Sequence, residues 1–445
     1  MATVVIRGGR VIDPSQRLDR VTDLVLRDGV VLQVGTWSGQ ADEVIDACHM
    51  IVAPGLIDMH VHLREPGDEQ SETIATGAAA ALAGGFTAVA CMPNTEPAID
   101  TREAAEFVYL QAARARFCRV YPVGAVTKRR AGEELAEMGQ LVDGGAVAFS
   151  DDGAPVESAE IMRRALQYTK MFDKAILNHP EVRDLTRGGV MNEGFTSMRL
   201  GLPGMPAVAE EIMVSRDILL AADTEGRLHL QHLSTAGSVE LVRAAKRRGI
   251  QVSAEVCPHH LALTDESLES FDSVYKVNPP LRTARDIAAL IEGLADGTID
   301  AIASDHAPHA PALKELELDR APFGMIGLET MLPICIKTLI EPGHLDWPTL
   351  ISKLSVNPAR ILGIPGGTLQ PGAPADVTVI NPTIEWTIDP TRFRSKSRNC
   401  PFAGWRVRGR AELVFVAGEL RYRAEPVREA AASSSNTGHG YAGAQ

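Results

Sequence analysis

The sequence predicts a (β/α)₈ TIM barrel, an α/β fold, combined with a small β-sandwich that both chain ends build. Short apolar strands alternate with helical segments through the middle of the chain, which is the pattern of parallel α/β units. Eight such units over roughly 310 residues fit the usual size of this barrel. β-branched runs and tight-turn signals occur near both termini. An open doubly wound sheet is the alternative, but no Gly-x-Gly-x-x-Gly motif follows a strand.

The two ends carry the sandwich strands. Asp28-Gly29 between two β-branched runs predicts a hairpin, and Ala417-Gly418 marks a second tight turn near the other end. We expect a sandwich of residues 1–53 and 366–425 and a barrel of residues 54–365. Residues 426–445 contain too few apolar side chains to pack, so we expect a disordered tail.

The predicted barrel consists of eight strands with helices between them. The strands are expected at 51–58, 87–91, 119–123, 146–149, 175–177, 228–231, 251–256 and 300–303. Helices are expected at 101–116, 158–172, 207–222 and 238–248. The last helix follows Ser234-Thr235, whose hydroxyl groups are suited to cap it.

Composition limits the partners and the compartment. A formal net charge of −13 argues against a nucleic-acid or anionic-membrane surface, although a small anion can still bind at a local site. The six cysteines are widely spaced without a Cys-x-x-Cys pair, which is typical of buried thiols in a reducing compartment. No apolar run has membrane-spanning length. We therefore expect a cytoplasmic protein.

His60 and His62 end the first predicted barrel strand. The period of two points both imidazoles to the same side, where they can chelate a metal ion. A His-x-His pair alone is more often structural, so partners elsewhere have to decide. Arg64 follows the same strand, and polar residues follow six later strands: Asn94, Asp151, Asp152, His179, His232, His259, His260, Asn278, Asp305, His306 and His309. In a barrel these strand ends meet at one mouth, where catalytic groups collect.

Imidazoles and carboxylates without thiolates suit zinc or a similar divalent ion. There are too many candidate ligands for one tetrahedral ion. A carboxylate between imidazoles can bridge two metals, and a hydroxide that the pair shares is a strong nucleophile at neutral pH. Asp305 can then take the proton of the attacking water and deliver it to the leaving nitrogen.

Seven motifs carry a resemblance to a known family. They lie at residues 60–67, 92–95, 149–153, 231–235, 257–261, 277–282 and 304–309. In this order they resemble the dihydroorotases of the amidohydrolase superfamily, and more narrowly the class I enzymes. The resemblance implies a zinc-dependent barrel that reversibly interconverts N-carbamoyl-L-aspartate and L-dihydroorotate in pyrimidine (UMP) biosynthesis.

The resemblance also implies roles for individual residues. One zinc would be held by His60, His62 and Asp305 and a second by His179 and His232, with Asp152 bridging and Asp305 as the acid/base. Substrate-binding positions would be His62, Arg64, Asn94, Asn278, His309, Phe323 and Gly324. The planar fork of an arginine suits a carboxylate, and asparagines can donate and accept at an amide edge.

The sequence departs from the family around His179. Pro180 and Val182 stand where many relatives have Cys and Asp. Metal ligands depend on the groups that orient them, so support of the second zinc is less secure.

Three other functions have to be compared with this one. Hydantoinases and allantoinases resemble this pattern, but they typically bridge their metals with a carboxylated lysine after strand four, and residues 146–153 contain no lysine. A catalytically dead subunit that scaffolds aspartate transcarbamoylase should have lost ligands, and a metal-storage protein has no use for Arg64, Asn94 and Asn278. We expect a homodimer, and association with aspartate transcarbamoylase stays open.

Several polar residues have plainer interpretations. Asp151 is expected to point away from Asp152, His229 to be packed core, and His306 to support its loop. His259 and His260 are balanced between supporting the site and a structural role. The 310–322 loop is either a connector or a mobile lid over the substrate.

Overall fold

The computed structural model describes residues 3–426, and strands from both chain ends form one eight-stranded mixed sheet. These strands are Thr3–Asp13, Leu18–Arg27, Val30–Val34, Glu43–Asp46, Ile51–Pro54, Val377–Thr387, Arg406–Val416 and Glu419–Arg423. Ile51–Pro54 lies between the two ends, parallel to Thr3–Asp13 and antiparallel to Val377–Thr387. Apart from Pro426, the predicted tail at 426–445 lies outside the described residues.

This sheet curls until its two hairpin turns meet. The Ala375 N–H donates to the Gly29 carbonyl, and the Gly418 N–H donates to the Ala375 carbonyl, both at 2.9 Å. Apolar side chains from both ends, such as Ile6 and Phe415, share one buried cluster. The predicted sandwich from both termini is therefore confirmed.

Eight parallel strands form the second sheet, in which each strand pairs with its neighbours in chain order. They are Leu56–Val61, Phe86–Cys91, Arg119–Gly124, Ala148–Phe149, Ile176–Asn178, Leu228–Leu230, Val252–Val256 and Ala301–Ile302. Val61 bridges to His306, and the His62 N–H donates to the His306 carbonyl at 2.9 Å. These contacts join the last strand region to the first, which confirms the (β/α)₈ barrel.

Fourteen α-helical segments lie within residues 3–426: Ile74–Gly84, Arg102–Ala115, Met138–Asp143, Ala159–Thr169, Arg183–Thr186, Phe195–Leu200, Val208–Thr224, Ala236–Arg247, Pro258–Ala262, Ala284–Ala295, Pro311–Lys314, Met331–Cys335, Trp347–Ile351 and Asn357–Leu362. Two of them continue as π-helical turns, Ile336–Ile340 and Ser352–Val356. Met191–Asn192 and Gly204–Met205 form a small ribbon. The hydroxyl of Thr235 accepts from the Ser238 N–H at 3.1 Å, so the expected cap is present.

One predicted strand is divided in two. Residues 51–58 were expected to form a single barrel strand, but Ile51–Pro54 belongs to the terminal sheet and Leu56–Val61 to the barrel. Gly55 lies at the break, and a Cβ there would be 2.1 Å from Oγ1 of Thr87. Glycine is therefore required where the chain passes from one sheet to the other. The domain limits at 53/54 and 365/366 stay a prediction.

Five of the six cysteines are buried, and Cys48 is exposed, contrary to the expectation for that residue. Among residues 3–426, no helix combines the length and the apolar character needed to cross a membrane.

We predict that Gly84→Ala destabilises the protein. A Cβ at Gly84 would lie 2.0 Å from the backbone carbonyl oxygen of Leu328, and such overpacking typically costs about 1–3 kcal/mol. Thermal unfolding should show a melting temperature lower by several degrees. Gly139→Ala is the matched control, since a helical Cβ there meets nothing closer than 3.5 Å. Equal melting temperatures for the two variants would contradict this view of the packing.

Candidate active site

Six side chains meet at the carboxyl ends of the barrel strands. They are His60, His62, Asp152, His179, His232 and Asp305, and none is more than 5% exposed. His60 lies within the first barrel strand, and the others follow the ends of the first, fourth, fifth, sixth and eighth strands. The sequence predicted this convergence, and the structure brings all six together.

The carboxylate of Asp152 lies between two pairs of histidines. Its Oδ2 is 3.4 Å from Nε2 of His60 and 3.3 Å from Nε2 of His62. Its Oδ1 is 3.6 Å from Nδ1 of His179 and 3.5 Å from Nε2 of His232. Each oxygen therefore faces a different pair, which is the arrangement that a carboxylate bridging two ions requires.

Asp305 completes the half of the site formed by His60 and His62. Its Oδ1 lies 3.5 Å from Nε2 of His60 and 3.1 Å from Nε2 of His62. Ligand atoms of His60, His62 and Asp305 lie within 4.8 Å of one another, and so do those of His60, Asp152 and His232. The buried Nε2 of His60 and Oδ1 of Asp152 have no hydrogen-bond partner among the described residues. This donor set fits divalent metal ions.

Three of the predicted site residues have left-handed backbone conformations. The φ angles are 61° at Arg64, 32° at His232 and 47° at Asp305. Non-glycine residues adopt this region rarely and at an energetic cost, and such residues concentrate at functional sites. Here the unusual turns occur where the chain leaves barrel strands and enters the mouth.

The carboxylates of the site stay ionised despite their burial. Burial acts to raise the pKa of Asp152, but the nearby His60, His179 and His232 hold that pKa well below its usual range. The pKa of Asp305 is likewise lowered, because His60 and His62 outweigh its burial. Burial lowers the pKa of His179, but the nearby carboxylates of Asp152 and Glu181 raise it to about 9. A bound cation would take the place of such protons.

On His62 and His179 the ring nitrogen that faces away from the site has a partner, whereas the buried Nδ1 of His232 has none among the described residues. Nδ1 of His62 donates to Oδ1 of Asn94 at 2.8 Å, and Nε2 of His179 donates to Oε2 of Glu181 at 3.0 Å. Glu181 also accepts from the amide of Asn278 at 3.1 Å. Despite the departure at Pro180 and Val182, His179 therefore has a carboxylate that orients its ring, at the position where support of the second zinc was expected to be less secure.

The predicted substrate-binding residues surround this cluster. The Nε of Arg64 donates to the Pro308 carbonyl at 3.1 Å, and Nε2 of His309 donates to the Phe323 carbonyl at 2.7 Å. Burial and the nearby Arg64 lower the pKa of His309 to about 3, so its ring is neutral. A Cβ at Gly324, whose φ is +127°, would lie 3.0 Å from Nε2 of His309. The backbone of residues 323–324 therefore approaches His309 closely.

Asp151 points away from the cluster, as expected. Its Oδ1 accepts from the N–H groups of Val126 at 2.9 Å and Thr127 at 3.1 Å. His306 supports its loop, because Nδ1 accepts from the Gly327 N–H at 3.2 Å. Nε2 of His260 donates to the Pro279 carbonyl at 2.9 Å, which indicates a structural role.

Lysines hold the 310–322 loop against the barrel. The Nζ of Lys276 donates to the carbonyls of Leu318 at 2.6 Å, Asp319 at 3.2 Å and Ala321 at 2.7 Å. Lys314 donates to the Pro322 carbonyl at 2.9 Å.

Sequence reasoning missed Glu255, a buried carboxylate whose Oε1 lies 2.7 Å from Nδ1 of His60. It also predicted that His229 is packed core, but it did not predict the hydrogen bonds of His229 to Ser253 and Glu255. A signal was present: Glu255 is the one charged residue in the strand Val252–Val256. A charge in the middle of a buried strand requires a partner.

This chain is similar to one family model and to named sequence relatives. The family model described as "Dihydro-orotase-like" matches residues 49–238. The dihydroorotase of Pelotomaculum thermopropionicum is 52% identical over 418 residues, which cover 94% of this chain and 98% of the relative. The dihydroorotase of Geobacter sp. strain M21 is 50% identical over 423 residues, 95% of this chain and 99% of the relative.

Solved structures with the same architecture include hydantoinases. The L-hydantoinase (dihydropyrimidinase) from Arthrobacter aurescens has a TM-score of 0.86 and 26% identity, covering 96% of this chain and 98% of its own. The dihydropyrimidinase from Brevibacillus agri NCHU1002 has a TM-score of 0.83 at 24% identity, covering 95% of each chain. At this identity, the similarity supports a shared fold and nothing more.

We predict opposite effects of two neighbouring substitutions. Asp152→Asn should abolish the rise in melting temperature that Zn²⁺ causes, because the bridging negative charge is lost. Asp151→Asn should keep that rise while lowering stability by about 1–3 kcal/mol, since a buried acceptor of backbone N–H groups is weakened. Thermal unfolding with and without Zn²⁺, together with metal analysis, measures both. The reverse pattern would show that Asp151 is the ligand.

Proposed function

Because this chain belongs to the dihydroorotase family, we propose that it is a dihydroorotase, a cyclic amide hydrolase that interconverts L-dihydroorotate and N-carbamoyl-L-aspartate in pyrimidine biosynthesis. The observation that carries this proposal is the position of Asp152 between two histidine pairs, with Asp305 on one side. About 50% identity over nearly the full length of named dihydroorotases supports the substrate.

The residues that would hold two zinc ions are those expected from the resemblance. His60, His62 and Asp305 would hold one ion, His179 and His232 the other, and Asp152 would bridge them. Bound zinc would polarise the scissile amide carbonyl and lower the pKa of a water molecule. Orphaned buried atoms on His60 and Asp152 support this assignment.

Asp305 is placed to move the proton. It lies at the barrel mouth, and because His60 and His62 lower its pKa, its carboxylate is ionised and free to accept a proton. In the hydrolytic direction its carboxylate takes a proton from the attacking water and passes it to the amide nitrogen as the C–N bond breaks. In the reverse direction it removes that proton from the ureido nitrogen.

The bonds within the site leave defined groups for the substrate. Nε of Arg64 is used by Pro308, so its two terminal nitrogens remain to hold a carboxylate in bidentate fashion. Asn94 uses Oδ1 for His62, which leaves its amide nitrogen as a donor. Neutral His309 donates through Nε2, so Nδ1 remains as an acceptor for a ring N–H. Asn278 and the Phe323-Gly324 backbone would complete the pocket.

The rival functions have less support. In the structure the fourth barrel strand is followed by Ser150, Asp151 and Asp152, so no lysine takes the bridging position. A dead scaffold subunit is disfavoured because all six expected ligands are present and close together.

We also propose a cytoplasmic location, since five buried, unpaired cysteines suit a reducing compartment. We also propose that the chain forms a homodimer.

The substrate is tested directly by comparing cyclic amides. We expect the zinc-loaded protein to hydrolyse dihydroorotate and to act poorly on hydantoin and allantoin, which lack the carboxylate that Arg64 would bind. Initial rates by ultraviolet absorbance at matched concentrations give the comparison. Equal rates on all three compounds would overturn the substrate assignment.

Asp305→Ala should abolish turnover. The substitution removes both the acid/base, which is typically worth about 10²–10⁴-fold, and a metal contact. Activity on dihydroorotate is measured alongside zinc content and melting temperature. Asp151→Asn serves as the control for losing a neighbouring carboxylate, and it should remain active. An active Asp305→Ala protein would remove this residue from the mechanism.

A further inference from the structure

We propose that Glu255 is a positioning residue for His60, and that His229 and Ser253 hold Glu255 in place through the barrel interior. This inference deepens the proposed function and rests on its metal site. Glu255, His229 and Ser253 are not among the site residues that the family resemblance implies. We call Ser253, His229, Glu255 and His60 the interior chain.

The interior chain is continuous. Nδ1 of His229 lies 2.8 Å from Oγ of Ser253, and Nε2 of His229 lies 3.1 Å from Oε2 of Glu255. The other oxygen of Glu255, Oε1, lies 2.7 Å from Nδ1 of His60. His229, Glu255 and His60 are each 0% exposed. A buried charge at this depth is stable only if it is hydrogen-bonded on both sides, as this one is.

The strands place these residues without help from loops. Ser253 and Glu255 are two residues apart in the strand Val252–Val256, so their side chains face the same side of the sheet. His229 pairs with Ser253 across the neighbouring strand. Ser253 also lines a pocket at the amino ends of the strands, together with Ala175, Arg227 and Asp300. The interior chain therefore runs from the far end of the barrel to the candidate metal site.

Glu255 selects which nitrogen of His60 faces the site. A carboxylate that accepts from Nδ1–H leaves the lone pair on Nε2, the atom near Asp152 and Asp305. Such a carboxylate also makes the imidazole a stronger ligand.

His60 is the point where this support matters most. It is the histidine that belongs to both groups of close ligand atoms, the one with His62 and Asp305 and the one with Asp152 and His232. His62 has a neutral amide as its partner, whereas His60 has a carboxylate. A His60 ring that turned its Nε2 away would weaken binding of the ion that His60, His62 and Asp305 would hold, and would remove a neighbour of the bridging Asp152.

The test measures zinc affinity of the folded protein by competition with a chromophoric chelator, using Zn²⁺ alone. Glu255→Gln keeps the size but removes the charge, and we expect zinc to bind about 10–100-fold more weakly. His229→Asn can keep the bond to Ser253 but cannot reach Glu255, so a smaller loss of about threefold to tenfold is expected. Ser253→Ala should have the smallest effect.

The matched control is Asp265→Asn, which also neutralises a buried carboxylate. Asp265 accepts from Asn192 at 2.8 Å, is 5% exposed, and has no hydrogen bond to the six candidate ligands among the described residues. It should lower the melting temperature without changing zinc affinity. The inference is wrong if Glu255→Gln binds zinc within twofold of the parent. It is also wrong if Asp265→Asn weakens zinc binding as much as Glu255→Gln does.

The zinc-affinity measurement also distinguishes a failure of this inference from a failure of the proposed function. If the parent binds zinc but does not hydrolyse dihydroorotate, the proposed substrate fails while the affinity series still decides the role of Glu255. If the parent is active and the series shows no graded loss, only the role of Glu255 fails. Should Glu255→Gln not fold, His229→Asn and Ser253→Ala still give the graded comparison, and equal affinities in both would overturn it.

Discussion

The buried carboxylate of Asp152 is the constraint on which the rest of the site depends. A negative charge that is 2% exposed has to be balanced, and four imidazole nitrogens lie within 3.6 Å of its two oxygens. Burying a charge is costly unless partners surround it. The barrel meets this requirement by bringing histidines from three strands to one point. Cations shared between those partners would lower the cost further.

Three of the four histidines are in turn oriented by a group behind them, whereas Nδ1 of His232 has no such partner among the described residues. Asn94 holds His62, Glu181 holds His179 and Glu255 holds His60, so the nitrogen that faces the site is defined in all three. These groups come from different parts of the chain. The mouth is therefore organised in layers, with a rigid strand framework outside and oriented ligands inside.

The sequence predicted much of this fold and the membership of the cluster, for identifiable reasons. Alternating strands and helices define a barrel, and polar residues after strand ends converge at its mouth, so His60 and Asp305 could be placed together from spacing alone. The break at Gly55 was missed because it depends on the side chain of Thr87, which is distant in sequence. Glu255 was missed because hydrogen bonds between strands are tertiary facts. Support of His179 by Glu181 depends on rotamers that local sequence does not determine.

Building the small domain from both termini affects the order in which the chain can fold. Thr3–Asp13 finds Leu18–Arg27 and Ile51–Pro54 early, but Ile51–Pro54 also pairs with Val377–Thr387, more than 300 residues later. During synthesis on the ribosome, one edge of the growing sheet therefore waits, uncovered, until the barrel has emerged. Unpaired edges invite association between chains. Ile51–Pro54 can therefore gain its second neighbour, Val377–Thr387, only after the intervening barrel residues have been synthesised.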